Sequence, residues 1–264
     1  MWQQEMRGAL AAAQIGGHVL GQWVGRVVPS EKAARDFVTQ ADLASQQAIF
    51  ESLAEQFPDH RLIGEECATA GERSSLDDGP CWLVDPLDGT TNYLHQFPSY
   101  CVSIALVVER RVVVGVVLDP MWQQTYWASA GEGAWRNGER IRCSTCRRLS
   151  EALVAASLPP NLPHPSRNLG EFVHVLREAQ SVRRIGSCAL NLCYLADGRL
   201  DGYWADTVQA WDVAAGSLIA REAGAHLLHR GGGAFAIADP QFIAAATPEL
   251  ATELRAQLDR AVPV

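Results

Sequence analysis

The chain of 264 residues predicts a layered α/β (α+β) fold of two packed halves, and three features of the sequence predict it. Segments with the 3.6-residue apolar period of helices open and close the chain. Between about residues 61 and 138 the apolar residues come in short runs parted by turns, as buried strands require. Beyond about residue 150 strands and helices alternate, the pattern that lays helices against a sheet. Apolar residues make up 48% of the chain and charged residues 20%, enough core for such layers at this length.

The first helix should cover residues 2–24, where an amphipathic pattern is loosened by glycines. A second covers 42–56, with Leu43, Ile49, Phe50 and Leu53 on its apolar face and Pro58 stopping it. Strands follow at 61–64, 81–84, 101–108, 112–118 and 124–127, and the turn-rich stretch 131–138 reads as a hairpin. In the second half, strands are expected at 153–157, 181–184, 226–228 and 242–245. Helices are expected at 168–179, 187–196, 212–223 and 248–261. Gly231, Gly232 and Gly233 lack the strand-and-helix setting of a dinucleotide fingerprint and read as a turn.

A formal net charge of −8 leaves no basic surplus to displace phosphate counterions, which argues against nucleic acid as a partner. Small phosphorylated ligands stay open, because a bound divalent metal reverses the local sign of charge. No membrane span is expected: Glu109, Arg110 and Arg111 break the most apolar region, 100–118. The N-terminus carries Glu5, Arg7, Gln14 and His18 and does not read as a secretory signal. The seven cysteines are therefore expected as reduced thiols in the cytoplasm. Cys143 and Cys146 form a C-x-x-C, but no second pair stands at zinc-site spacing.

The chemistry concentrates in Trp82-Leu83-Val84-Asp85-Pro86-Leu87-Asp88-Gly89-Thr90-Thr91-Asn92. An apolar strand delivers Asp85 to its end, where Pro86 should stop the ladder and leave Asp85 and Asp88 on a tight turn. Two carboxylates that close repel unless a cation lies between them. Mg²⁺ resolves the conflict, taking oxygen ligands and keeping positions for water and phosphate. Alone the segment reads as an Asx-turn followed by a helix cap. Acids at three more places shift the balance: Glu65 and Glu66 after an apolar strand, Asp42 at the start of the second helix, and Asp212 opening an apolar helix.

Gly64-Glu65-Glu66, Asp85 to Asn92, and Trp211-Asp212-Val213-Ala214-Ala215-Gly216 together resemble the inositol monophosphatase family. The resemblance extends through Asp36 to Asp42 and Gly186-Ser187, and covers nearly the whole chain. It implies an αβαβα sandwich of the inositol-monophosphatase/fructose-bisphosphatase kind, with residues 1–150 carrying most metal ligands and 151–264 carrying Asp212 and the substrate side. It implies a Mg²⁺-dependent, lithium-sensitive phosphomonoesterase, a homodimer, holding two or three ions. Glu65, Asp85, Asp88 and Asp212 match metal ligands, as does the carbonyl of Leu87. Thr90 and Asp42 match the pair that orients the attacking water, with Glu65 helping to take its proton, and Gly89 and Thr90 match amides near the phosphate. Lys32 matches a basic residue near the site.

On the substrate side the matching positions are Asp88, Gly186, Ser187, Cys188 and Asp212, and two of the surroundings depart from the pattern. Cys188 replaces a small alanine, and Ala205 replaces an acid that binds sugar-like hydroxyls. Either neighbouring Asp206 substitutes after a small backbone shift, or the pocket prefers another polyol. The substrate implied is a small polyol phosphate such as myo-inositol monophosphate. Alternatives are histidinol phosphate, fructose 1,6-bisphosphate or a nucleotide bisphosphate, and, from another class, a non-catalytic regulator that binds metal or metabolite.

Overall fold

The computed structural model describes residues 1–26, 30–33, 36–67 and 79–264, with backbone only at 30–33 and 36–37. In chain order, α1 (Gln3–Trp23) leads to a small hairpin of β1 (Ser30–Ala33) and β2 (Asp36–Val38), then to α2 (Gln40–Gln56). A seven-stranded sheet follows, built in sequence order from β3 (Arg61–Gly64), β4 (Cys81–Asp88), β5 (Cys101–Val108), β6 (Arg111–Asp119), β7 (Gln124–Ser129), β8 (Ala134–Arg136) and β9 (Glu139–Ile141). A short α3 (Thr90–Leu94) lies between β4 and β5. β3 runs parallel to β4, and every later neighbour is antiparallel.

The second half supplies β10 (Leu153–Ser157), α4 (Arg167–Glu178), β11 (Ser181–Arg183), α5 (Cys188–Ala196), β12 (Gly202–Ala205), α6 (Ala210–Glu222), β13 (His226–His229), β14 (Phe242–Ala245) and α7 (Pro248–Arg260). Its five strands order as β11-β10-β12-β14-β13. Helices α1 and α2 cover one face of the larger sheet, α5 and α6 fill the space between sheets, and α4 and α7 cover the far face of the smaller one. The result is an αβαβα sandwich with three apolar cores among the described residues, the middle one spanning both faces of the central helical layer. The middle core joins both sheets: Leu83, Ala105 and Tyr126 from one, Tyr203 and Phe242 from the other, with α5 and α6 between them. Among the described residues, no helix is long and apolar enough to cross a membrane.

The expected helices and strands fall within a few residues of their places, and three differences have physical reasons. The hairpin expected at 131–138 is formed instead by β8 and β9, turning at Asn137 and Gly138, both with positive φ. That is the Asn-Gly pair that two-residue hairpins favour. Strand β12 carries no alternation in its sequence, because all four of its residues are buried, and it joins the sheet where no strand was expected.

The third difference lies at the site. Pro86 does not end the ladder: β4 runs on to Asp88, and its pairing with β5 shifts between Asp85 opposite Ser103 and Asp88 opposite Cys101. A bulge absorbs the extra residue and the missing proline N–H. Asp85 and Asp88 therefore sit on a bulged strand end rather than a tight turn.

Candidate active site

The ends of β3 and β4 and the start of α6 converge. Glu65 follows β3 directly, held in line by its amide, which donates to the Val84 carbonyl at 3.1 Å. Glu65, Asp85 and Asp212 each bring a carboxylate oxygen within 4.8 Å of the other two. Asp85 is buried and the other two are half-buried. Its Oδ1 accepts from the Leu87 amide at 3.0 Å. Burial, followed by the charges of Glu65, Asp88 and Asp212, pushes the Asp85 carboxyl well above the usual range. All the donors are carboxylate oxygens, the set a hard divalent cation requires.

Asp88 stands beside these three but does a second task. One oxygen accepts from the Ser187 hydroxyl at 2.7 Å and the Ala189 amide at 2.6 Å; the other accepts from the Cys188 amide at 3.1 Å. A residue of the first half thus closes the N-terminus of α5 in the second, in addition to the helix's own cap, Ser187. Burial raises Asp88 to about 6 in spite of these three donors. An ionised carboxylate has about four acceptor positions, so Oδ1 keeps capacity for a further partner.

Asp42 occupies the third position of α2, whose cap is Thr39, not Asp42 itself. Asp42 Oδ2 accepts from the Thr39 amide and hydroxyl at 2.9 and 2.6 Å. Its other oxygen lies 3.3 Å from Thr90 Oγ1, which is also 3.2 Å from the Leu87 carbonyl. Asp212 is likewise the third residue of its helix, accepting from the Gln209 amide at 2.8 Å. Gly89 has φ +100°, and a Cβ there would lie 2.9 Å from the Ser99 carbonyl, so only glycine fits before Thr90. Asn92 ties the two halves, donating to the Ser99 carbonyl at 2.7 Å and the Ile185 carbonyl at 2.8 Å. Gly186 adopts φ +94° against that amide.

Next to the carboxylates opens a cleft of about 190 Å³, lined by Asp88, Gly186, Cys188 and Asp212 together with Ser157, Arg184, Thr207 and Val208. Cys188 is fixed from below: its thiol receives the Tyr203 hydroxyl at 3.0 Å, and that hydroxyl lies 2.6 Å from Ser157 Oγ. Asp206 does not join the cleft. It accepts from Asn168 Nδ2 at 2.8 Å and pairs with buried Arg230 at 3.3 Å, so it faces away from where Ala205 would lead it. The Lys32 side chain lies outside the described residues. Ser157, Arg184 and Thr207 were not anticipated. The only signal for Arg184 was its place two residues before the Gly186-Ser187 motif.

The raised carboxyls predict how pH and metal interact. Folded Asp88 titrates at about 6 against an ordinary 3.8, and Asp85 is raised as well. Between those values the folded protein holds protons that the unfolded chain releases, so this site lowers metal-free stability as pH climbs from about 4 through 6. A divalent cation favours the ionised carboxylates. Mg²⁺ should therefore raise the melting temperature, measured against EDTA, more at about pH 7.5 than at about pH 5.5. Equal increments at both would contradict this origin.

Carboxylates crowded around one point, beside a cleft with polar walls, suit a metal-dependent phosphoric monoester hydrolase, and the comparisons place the chain in that class. The model of the inositol monophosphatase family matches residues 2–262. The chain belongs to that family. Inositol monophosphatase 2 of Solanum lycopersicum is 42% identical over 233 residues, 86% of this chain and 88% of its own. Nus factor SuhB of Pasteurella multocida is 37% identical over 250 residues, 93% of this chain and 92% of its own. The solved extragenic suppressor protein suhB of Bartonella henselae superposes with a TM-score of 0.90 at 36% identity, covering 97% of this chain and 99% of that one.

Proposed function

We propose that the protein hydrolyses a small polyol phosphate, with myo-inositol monophosphate as prototype, using two or three Mg²⁺ ions. The observation that carries this reading is the carboxylate group of Glu65, Asp85 and Asp212 at the edge of the polar cleft. These three, with Asp88 and the Leu87 carbonyl, would hold the ions. When bound, the cations neutralise the carboxylates, polarise the phosphate and acidify the attacking water.

The chain's own groups do the rest. Thr90 Oγ1, donating towards Asp42, keeps lone pairs with which to accept from a water and fix its direction. Glu65, less buried than Asp85, takes up the proton as that water attacks. The Gly89 and Thr90 amides would donate to phosphate oxygens. Gly186, Ser187 and Cys188 border the side where the alcohol leaves. Inhibition by lithium belongs to the same reading, as competition for the cation positions.

A homodimer is supported by an apolar surface at Phe97, Met121 and Trp122, all exposed, with the Trp122 indole bonded to the Pro98 carbonyl. Sedimentation reads this directly, and the mass of a single chain would exclude it. All seven cysteines are free thiols, which supports a reducing, cytoplasmic setting.

The test is phosphate release from a panel holding myo-inositol 1-phosphate, histidinol phosphate, fructose 1,6-bisphosphate and a nucleotide bisphosphate. Release with Mg²⁺ and none with EDTA is expected. Its absence from every member, with folded protein and metal present, would sink the reading and favour a non-catalytic role.

A further inference from the structure

The alcohol side of the cleft differs in chemistry from its metal side. The pattern this chain resembles would put a carboxylate at position 205 to grip neighbouring hydroxyls. Here Ala205 is fully buried in β12, and Asp206 is spent on Asn168 and Arg230. Among the described residues, that wall offers the hydroxyls of Ser157 and Thr207 and the guanidinium of Arg184.

Arg184 is exposed, and among the described residues its guanidinium has no hydrogen-bond or ion-pair partner. It also borders a second, larger cleft of about 650 Å³, which shares Leu158, Arg184 and Gly186 with the first. Arg184 thus stands where a substrate held at the carboxylates would extend away from its phosphate. A guanidinium presents a planar fork of donors that fits a carboxylate or a phosphate, and offers nothing special to a neutral hydroxyl.

We propose that Arg184 is a specificity residue that reads a second anionic group on the substrate, so the preferred substrates are polyol phosphates bearing a carboxylate or another phosphate. This rests on the phosphomonoesterase reading above and narrows its polyol phosphates to those with a second anionic group, which ranks myo-inositol monophosphate below them as a substrate. The hydroxyls of Ser157 and Thr207 would meet the polyol between the two anionic ends.

Matched pairs of substrates test it. Glycerol 1-phosphate against 3-phosphoglycerate adds a carboxylate; fructose 1-phosphate against fructose 1,6-bisphosphate adds a phosphate. With Mg²⁺, kcat/KM for the anionic member of at least one pair should exceed that of its partner by about tenfold, the scale of a charge-assisted hydrogen bond. Which pair shows the ratio tells carboxylate from phosphate. In Arg184→Gln, checked by melting temperature to be folded, that ratio should collapse towards one. A ratio at or below one for both pairs in the wild type would overturn the proposal. So would an equal fall for both members in the variant, which would put Arg184 at the scissile phosphate instead. Absence of release from all four substrates would count against the phosphatase reading, a result distinct from either.

Discussion

Asp85→Asn should lower kcat/KM by at least about 100-fold and yet leave the metal-free protein melting higher than wild type. The two effects share one cause. Asp85 is buried against Glu65 and within reach of the charges of Asp88 and Asp212. Ionised there without a cation, it repels its neighbours and loses its hydration. An amide of the same shape removes that cost and still accepts from the Leu87 amide at the 3.0 Å position. The amide also removes one anionic oxygen from a site built for a cation, so the increase in melting temperature that Mg²⁺ gives to wild type should shrink or vanish. Activity assays and thermal melts with EDTA and with Mg²⁺ read all three. A variant that is inactive and also markedly less stable without metal would mean that Asp85 is chiefly structural.

Asp88→Ala should be just as inactive but move stability in the opposite direction. Its carboxylate receives the Ser187 hydroxyl and the first amides of α5 in a buried place. Without it the Cys188 and Ala189 amides lose their partner at the interface of the two halves, at a cost of about 3 kcal/mol. For a chain of this size that corresponds to a fall of about 5–10 °C in melting temperature, with or without Mg²⁺. A melting temperature equal to wild type would show that α5 does not depend on this bond. Opposite signs at two aspartates three residues apart separate a group held ready for a cation from a group that also joins the halves.

Much of this was legible in the sequence because it rests on local chemistry. The apolar periods of α1, α2 and α7, the strand runs of β5 and β6, and the acids at element ends all announce themselves within a few residues. What was not legible depends on tertiary partners. β12 lies in the middle of its sheet with no polar face to mark it, and Pro86 continues its strand because β5 accommodates a bulge. The second role of Asp88 needs α5, about a hundred residues later, to be seen. Asp206 sits next in sequence to Ala205 and invites substitution for it, but Arg230 and Asn168, from distant parts of the chain, turn its carboxylate the other way. Arg184 carries no local pattern at all; only the cleft gives it a meaning.

Catalysis as proposed requires that Glu65, Asp85 and Asp212 surround a divalent cation. Crystals soaked in Mn²⁺, a substitute for Mg²⁺ with an anomalous signal, test this most directly. An anomalous peak is expected within coordination distance of oxygens from all three carboxylates, lost in Asp85→Asn crystals. A map from well-soaked, active protein with no peak there, or with the metal bound elsewhere, would contradict it.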